Sequence, residues 1–81
     1  MEYDVLEAQL VRDFAVWLRF RDGTTGEVDL RDALRGPVFE PLHDPEYFKL
    51  FRVDPECDTL VWPNGADIAP ESLYARAKRA T

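Results

Sequence analysis

The chain has one serine, one cysteine and one histidine, Ser72, Cys57 and His43, so a hydrolytic centre would have to be built from these three. Nucleophilic catalysis requires a nucleophile, a base and an orienting group within hydrogen-bond reach. No glycine-rich oxyanion loop or nucleophile elbow surrounds Ser72, and its place in the first turn of a C-terminal helix suits a local cap or solvent contact. His43 stands in Leu-His-Asp-Pro, where a loop histidine beside a helix start is the ordinary reading and a general base the sharper one. Cys57 sits between Glu56 and Asp58, neighbours that raise a thiol pKa and weaken it as a nucleophile. A catalytic role is not expected.

Carboxylates are the abundant functional type. Asp22, Glu27, Asp29 and Asp32 form one acidic group, and Asp54, Glu56 and Asp58 another. Asp-x-Glu-x-Asp spacing is reminiscent of a calcium loop, but the glycine and the closing glutamate are missing, so turn-forming aspartates on a wet face explain it better. One Cys and one His do not make a zinc site. No metal or cofactor is expected.

The elements that would position these side chains can be read from periodicity. Residues 3–12 alternate as a half-buried strand, with Leu6, Ala8 and Leu10 on one face and Val5, Glu7, Gln9 and Val11 on the other. Arg12-Asp13 marks a turn. Val16, Leu18 and Phe20 form a second strand, Asp22-Gly23 a hairpin connection, and Val28 and Leu30 a third strand. Residues 31–35 hold a short helix capped by Asp29 or Asp32 and stopped by Gly36-Pro37. Asp44 and Pro45 then open another helix as cap and first residue. It leads into Tyr47, Phe48, Leu50 and Phe51, an aromatic-rich cluster of core type. Residues 51–54 and 59–62 make a hairpin, Pro63-Asn64-Gly65 a tight turn, and residues 70–80 a helix. That helix buries Leu73, Tyr74 and Ala77 beside Ile68, and its Arg76, Lys78 and Arg79 complement the helix dipole. The expected fold is α+β: a three-stranded antiparallel meander, short helices, a second β-hairpin and a C-terminal helix, in a single domain over residues 1–81.

Candidate binding residues are the two tryptophans and the turn after the second. Trp17 lies on the strand face opposite Val16, Leu18 and Phe20, so it is either covered by later elements or part of a contact surface, where Trp is enriched. Trp62, Asn64 and Asp67 form the other group. There Trp62 is expected buried, Asn64-Gly65 to turn, and Asp67 to accept from nearby backbone amides.

Charge sets the partner class. Sixteen acidic residues against ten basic ones leave a net charge of −6, a surface that a phosphate-lined duplex repels. Nucleic acid is therefore not an expected partner. The N-terminus lacks the basic and apolar stretches of a signal peptide, and no run approaches a membrane span. With a single cysteine, a cytoplasmic setting is expected.

One run of residues carries a family likeness. Phe20-Arg21-Asp22-Gly23, Val28-Asp29-Leu30, Leu42-x-Asp44-x-x-x-Phe48, Leu60-Val61-Trp62-Pro63-Asn64-Gly65-Ala66-Asp67-Ile68 and Pro70-Glu71-x-Leu73-Tyr74 together resemble the bacterial family called domain of unknown function 2442. The match covers essentially the whole chain, and Trp62-Pro63-Asn64-Gly65-x-Asp67 is its most specific part. A capping Ser or Thr is expected before Pro70, and this chain departs with Ala69. The resemblance implies a small α+β domain without established catalytic residues. Some members carry a helix-turn-helix module after it, and this chain ends at Thr81, so DNA binding is not carried over. Short members are often encoded beside a small protein of another uncharacterised family, an arrangement similar to toxin–antitoxin pairs, and an acidic antitoxin suits a basic partner. The expected function is thus a small protein-binding domain, antitoxin-like or regulatory, taking a small basic protein or a second copy as partner. The alternative is the sensor domain of a transcription regulator that lacks its helix-turn-helix module.

Overall fold

Three strands open the chain because apolar residues recur there at period two. β1 (Val5–Arg12), β2 (Ala15–Phe20) and β3 (Thr25–Asp29) form an antiparallel sheet in the order β1-β2-β3. The computed structural model describes residues 2–80. Val16, Leu18 and Phe20 of the central strand are fully buried. The β2–β3 turn is closed by Phe20 N–H to the Thr24 carbonyl (2.8 Å) and Gly23 N–H to the Phe20 carbonyl (3.0 Å). Gly23 adopts φ +91° there, a left-handed conformation open to glycine at little cost.

β1 departs from simple alternation. Val5 pairs with Phe20, but Glu7 pairs with Arg19 and Ala8 with Leu18, so the register slips by one residue around Leu6; a second slip falls between Leu10 and Arg12. Each bulge adds a residue to one strand only and inverts the facing of the residues after it. Val5, expected opposite Ala8 and Leu10, therefore shares their face and is buried, while Leu6, expected beside them, is 39% exposed. Leu10 and Val11 are each 42% exposed.

After β3 the Asp29 carboxylate accepts the Arg31 N–H at 2.9 Å and starts a 3₁₀ turn over Arg31–Ala33. A second 3₁₀ segment, Pro37–His43, comes next where a stop was expected. Gly36 does end the first turn, at φ +95°, but Pro37 has its φ preset for the first position of a new one. Asp44 then caps α1 (Pro45–Phe48), accepting from the Glu46 N–H at 3.0 Å. Phe48 is fully buried against Trp62, Phe51 and the edge of Phe14. Leu50, expected in that cluster, is 49% exposed just past the helix.

β4 (Arg52–Asp54) and β5 (Thr59–Val61) form a separate two-stranded sheet. It meets the first where Val5 N–H donates to the Asp58 carbonyl at 3.0 Å. Trp62 exchanges backbone bonds with Ala66 and Gly65 across the next turn, with Gly65 at φ +88°. α2 (Pro70–Ala80) lies against β3, with Leu73 and Ala77 buried. The fold is α+β, with one core shared by both sheets and α2.

Candidate functional site

The three residues able to act as nucleophile or base sit on different elements, and no hydrogen bond joins any two of them. Ser72 is exposed in the first turn of α2. His43 ends the second 3₁₀ segment, and its Nε2–H donates to the Leu34 carbonyl at 2.7 Å. That bond fixes the ring to the backbone of the preceding loop. Cys57 is exposed in the β4–β5 loop, where desolvation and then Asp54, Asp67 and Glu56 push its thiol pKa up. A thiol held protonated is a poor nucleophile and metal ligand.

Several of the carboxylates are engaged in turns and cross-links. Asp22 accepts the Tyr74 hydroxyl and the Thr24 N–H, which hold its carboxyl below the usual range and tie the β2–β3 turn to α2. Glu27 pairs with Arg12 at 2.8 Å and Glu7 with Arg19 at 3.1 Å. Asp54 closes the β4–β5 loop by accepting from Glu56 and Cys57 N–H, and these bonds lower its pKa together with Arg52. Among the described residues no three His, Cys, Asp or Glu side chains are grouped to hold a metal ion. Arg76 bonds to Asp32 at 3.0 Å across to the first 3₁₀ turn, a tertiary link in addition to any dipole effect.

The candidate binding residues separate into two places. Trp17 is half-buried on the outer face of the meander, flanked by Gln9 and Glu27 on the neighbouring strands. Trp62 is 2% exposed, and its Nε1–H donates to the Phe48 carbonyl at 2.8 Å, so its ring belongs to the core. Asn64 makes the turn, as its sequence context requires, by accepting from the Ala66 N–H. It also reaches 26 residues back, donating from Nδ2 to the Val38 carbonyl at 2.8 Å. Asp67 is exposed and makes no side-chain hydrogen bond to a described residue; Asn64 takes the amide-accepting role expected of it. The backbone of Asp67 instead bridges to Val61.

Two surface features were not legible as sites. An open depression of about 470 Å³ lies between the 3₁₀ segments and the start of α2, with Arg35, Phe39, Ser72 and Arg76 in its walls. Arg76 Nε is buried there without a hydrogen-bond partner. A groove of about 450 Å³ separates β1 from the second hairpin, lined by Val5, Leu6, Arg21, Val53, Pro55 and Asp58. β1 is the edge strand of its sheet, and Leu6, Leu10 and Val11 on it are exposed. Two adjacent apolar residues, Leu10-Val11, break the period-two pattern and were the available signal of an irregular edge strand.

No helix among the described residues is long and apolar enough to cross a membrane. No curated protein and no solved structure gives a significant match to the chain. A family profile described as "Protein of unknown function (DUF2442)" matches residues 5–79. Spanning all the strands and nearly all of α2, that match shows that the chain belongs to this family.

Proposed function

We propose that this domain works in the cytoplasm by binding another protein, as an antitoxin-like or regulatory module, and not by catalysis. The observation that carries the reading is the edge of β1. An eight-residue strand, paired on one side only, presents Leu6, Leu10 and Val11 to solvent. Soluble proteins usually shorten, cover or charge such an edge, because unpaired backbone beside apolar side chains recruits another chain. The excess of acidic residues favours a basic partner and speeds its approach. The test is to use the purified chain as bait in lysate of its own host and identify what binds by mass spectrometry. Binding is then measured on the purified pair. Failure to recover any partner at defined stoichiometry would refute the reading.

A second reading, a ligand-sensing domain of a transcription regulator, draws support from the 470 Å³ depression and the unsatisfied Nε of Arg76 in its wall. Its volume falls in the range of small-ligand sites. A melting-temperature screen against small carboxylates and phosphates tests it; no shift with any of them counts against it.

A further inference from the structure

The groove between the two sheets says what kind of segment the β1 edge takes. Val5 and Leu6, the first residues of β1, form one wall, and among the described residues no backbone hydrogen bond beyond the β1–β2 ladder reaches residues 6–11. At the Val5 end the strand meets the second hairpin through the Asp58 carbonyl, and beyond it the edge is open. The groove floor there is aliphatic: Val5 is buried, Leu6 exposed and Val53 half-buried, with Pro55 beside them. An extended chain laid along β1 would complete the ladder and drop alternate side chains onto this floor.

The charges around the edge select the occupant. The arginines near it are already matched: Arg12 by Glu27, Arg19 by Glu7, Arg21 by Asp4 and Arg52 by Asp54, at 2.8–3.2 Å. Left over are acids. Asp13 lies at the far end of β1, and Asp58 and Glu56 lie beside the near end, none of them in an ion pair with a described residue. An eight-residue strand spans roughly 23 Å at about 3.3 Å per residue, so the acids bracket a slot of about one strand length. We infer that the β1 edge binds an extended, aliphatic segment of a partner protein that carries lysine or arginine at both ends, by strand addition. The inference rests on the protein-binding reading above and specifies its mode.

The probe is a capped octapeptide, Lys-Thr-Val-Thr-Val-Thr-Val-Lys, with a Glu-ended counterpart as control, titrated into the ¹⁵N-labelled full chain. The expected result is amide shifts and slowed hydrogen exchange confined to residues 6–11 and the groove wall. The Glu-ended peptide should bind at least about tenfold more weakly, and added salt should weaken the Lys-ended one. Leu6→Lys and Leu10→Lys place a like charge on exposed positions, so they should lower affinity about tenfold while leaving the melting temperature nearly unchanged. Equal binding of both peptides, or shifts located elsewhere, would overturn the inference. So would a dimer in sedimentation that Leu10→Lys abolishes, since the edge would then belong to a second copy. If a partner captured from lysate binds the Leu6→Lys/Leu10→Lys double variant as well as the native chain, the strand-addition mode is wrong and the protein-binding reading stands. If no partner is captured at all, that reading itself fails.

Discussion

Gly26 passes so close to Ala77 that a methyl group on it would lie 3.2 Å from both the Ala77 methyl and the Ala77 carbonyl oxygen. This contact is where α2 seats on β3, and it sets the spacing between helix and sheet. Glycine is required for closeness, not for a left-handed turn. Gly26→Val should push the helix outward and cost about 1–3 kcal/mol, the range for overpacking. Each kcal/mol lowers the melting temperature of a domain this size by roughly 4–8 °C, so thermal denaturation reads it directly. An unchanged melting temperature would mean that α2 floats on the sheet.

Trp62 joins the hairpin to α1 through its ring and its indole N–H. Trp62→Ala removes both and should cost about 3–5 kcal/mol. With whole-domain stabilities of about 5–15 kcal/mol, the variant should lose a large share of its stability and melt well below the native chain. Circular dichroism with urea titration measures this. A stable variant that lost partner binding would instead make the Trp62 turn a recognition site.

The carbonyl of Ala69 accepts the Ser72 and Leu73 N–H groups and so starts α2, yet its methyl side chain offers nothing to the free amides of the first turn. Asp67 makes no side-chain bond to them. Ala69→Ser or Ala69→Asp should raise stability by about 1 kcal/mol, with Asp gaining further from the helix dipole. A melting temperature that falls in both variants would refute the assignment.

Asp22 carries a pH signature. Its pKa is lowered by the Tyr74 hydroxyl first and the Thr24 N–H second. A depressed folded-state pKa stabilises the fold above the unfolded value of about 3.9, and this contribution fades as pH falls through the lowered value. Tyr74→Phe removes the larger cause. The native chain should therefore melt higher than the variant at neutral pH, and the gap should narrow on acidification towards pH ~3. A gap independent of pH would assign the effect to packing of the Tyr74 ring on Phe20 alone.

Much of the fold was legible because it is local. Alternation in β2, Gly23 and Gly65 in turns, Asp44 before Pro45, and Pro70 opening α2 each act within a few residues, through φ preferences and short-range hydrogen bonds. Trp62 could be placed in the core from its type and its neighbours. The likeness to the family rested on the same local signals, and the match over residues 5–79 agrees with it.

What the tertiary structure decided depends on partners distant in sequence. With the slip around Leu6, Val5 faces Phe20 while its N–H reaches the Asp58 carbonyl, partners that no window of neighbouring residues contains. Leu6, at the same slip, is left 39% exposed. Asn64 reads as a turn former, but its bond to Val38 exists only once the chain has folded back 26 residues. Arg76 reads as a dipole cation and becomes a cross-link to Asp32. Local sequence sets which conformations are cheap; which residue ends up buried, paired or exposed is decided by the close packing of segments that meet only in the folded chain.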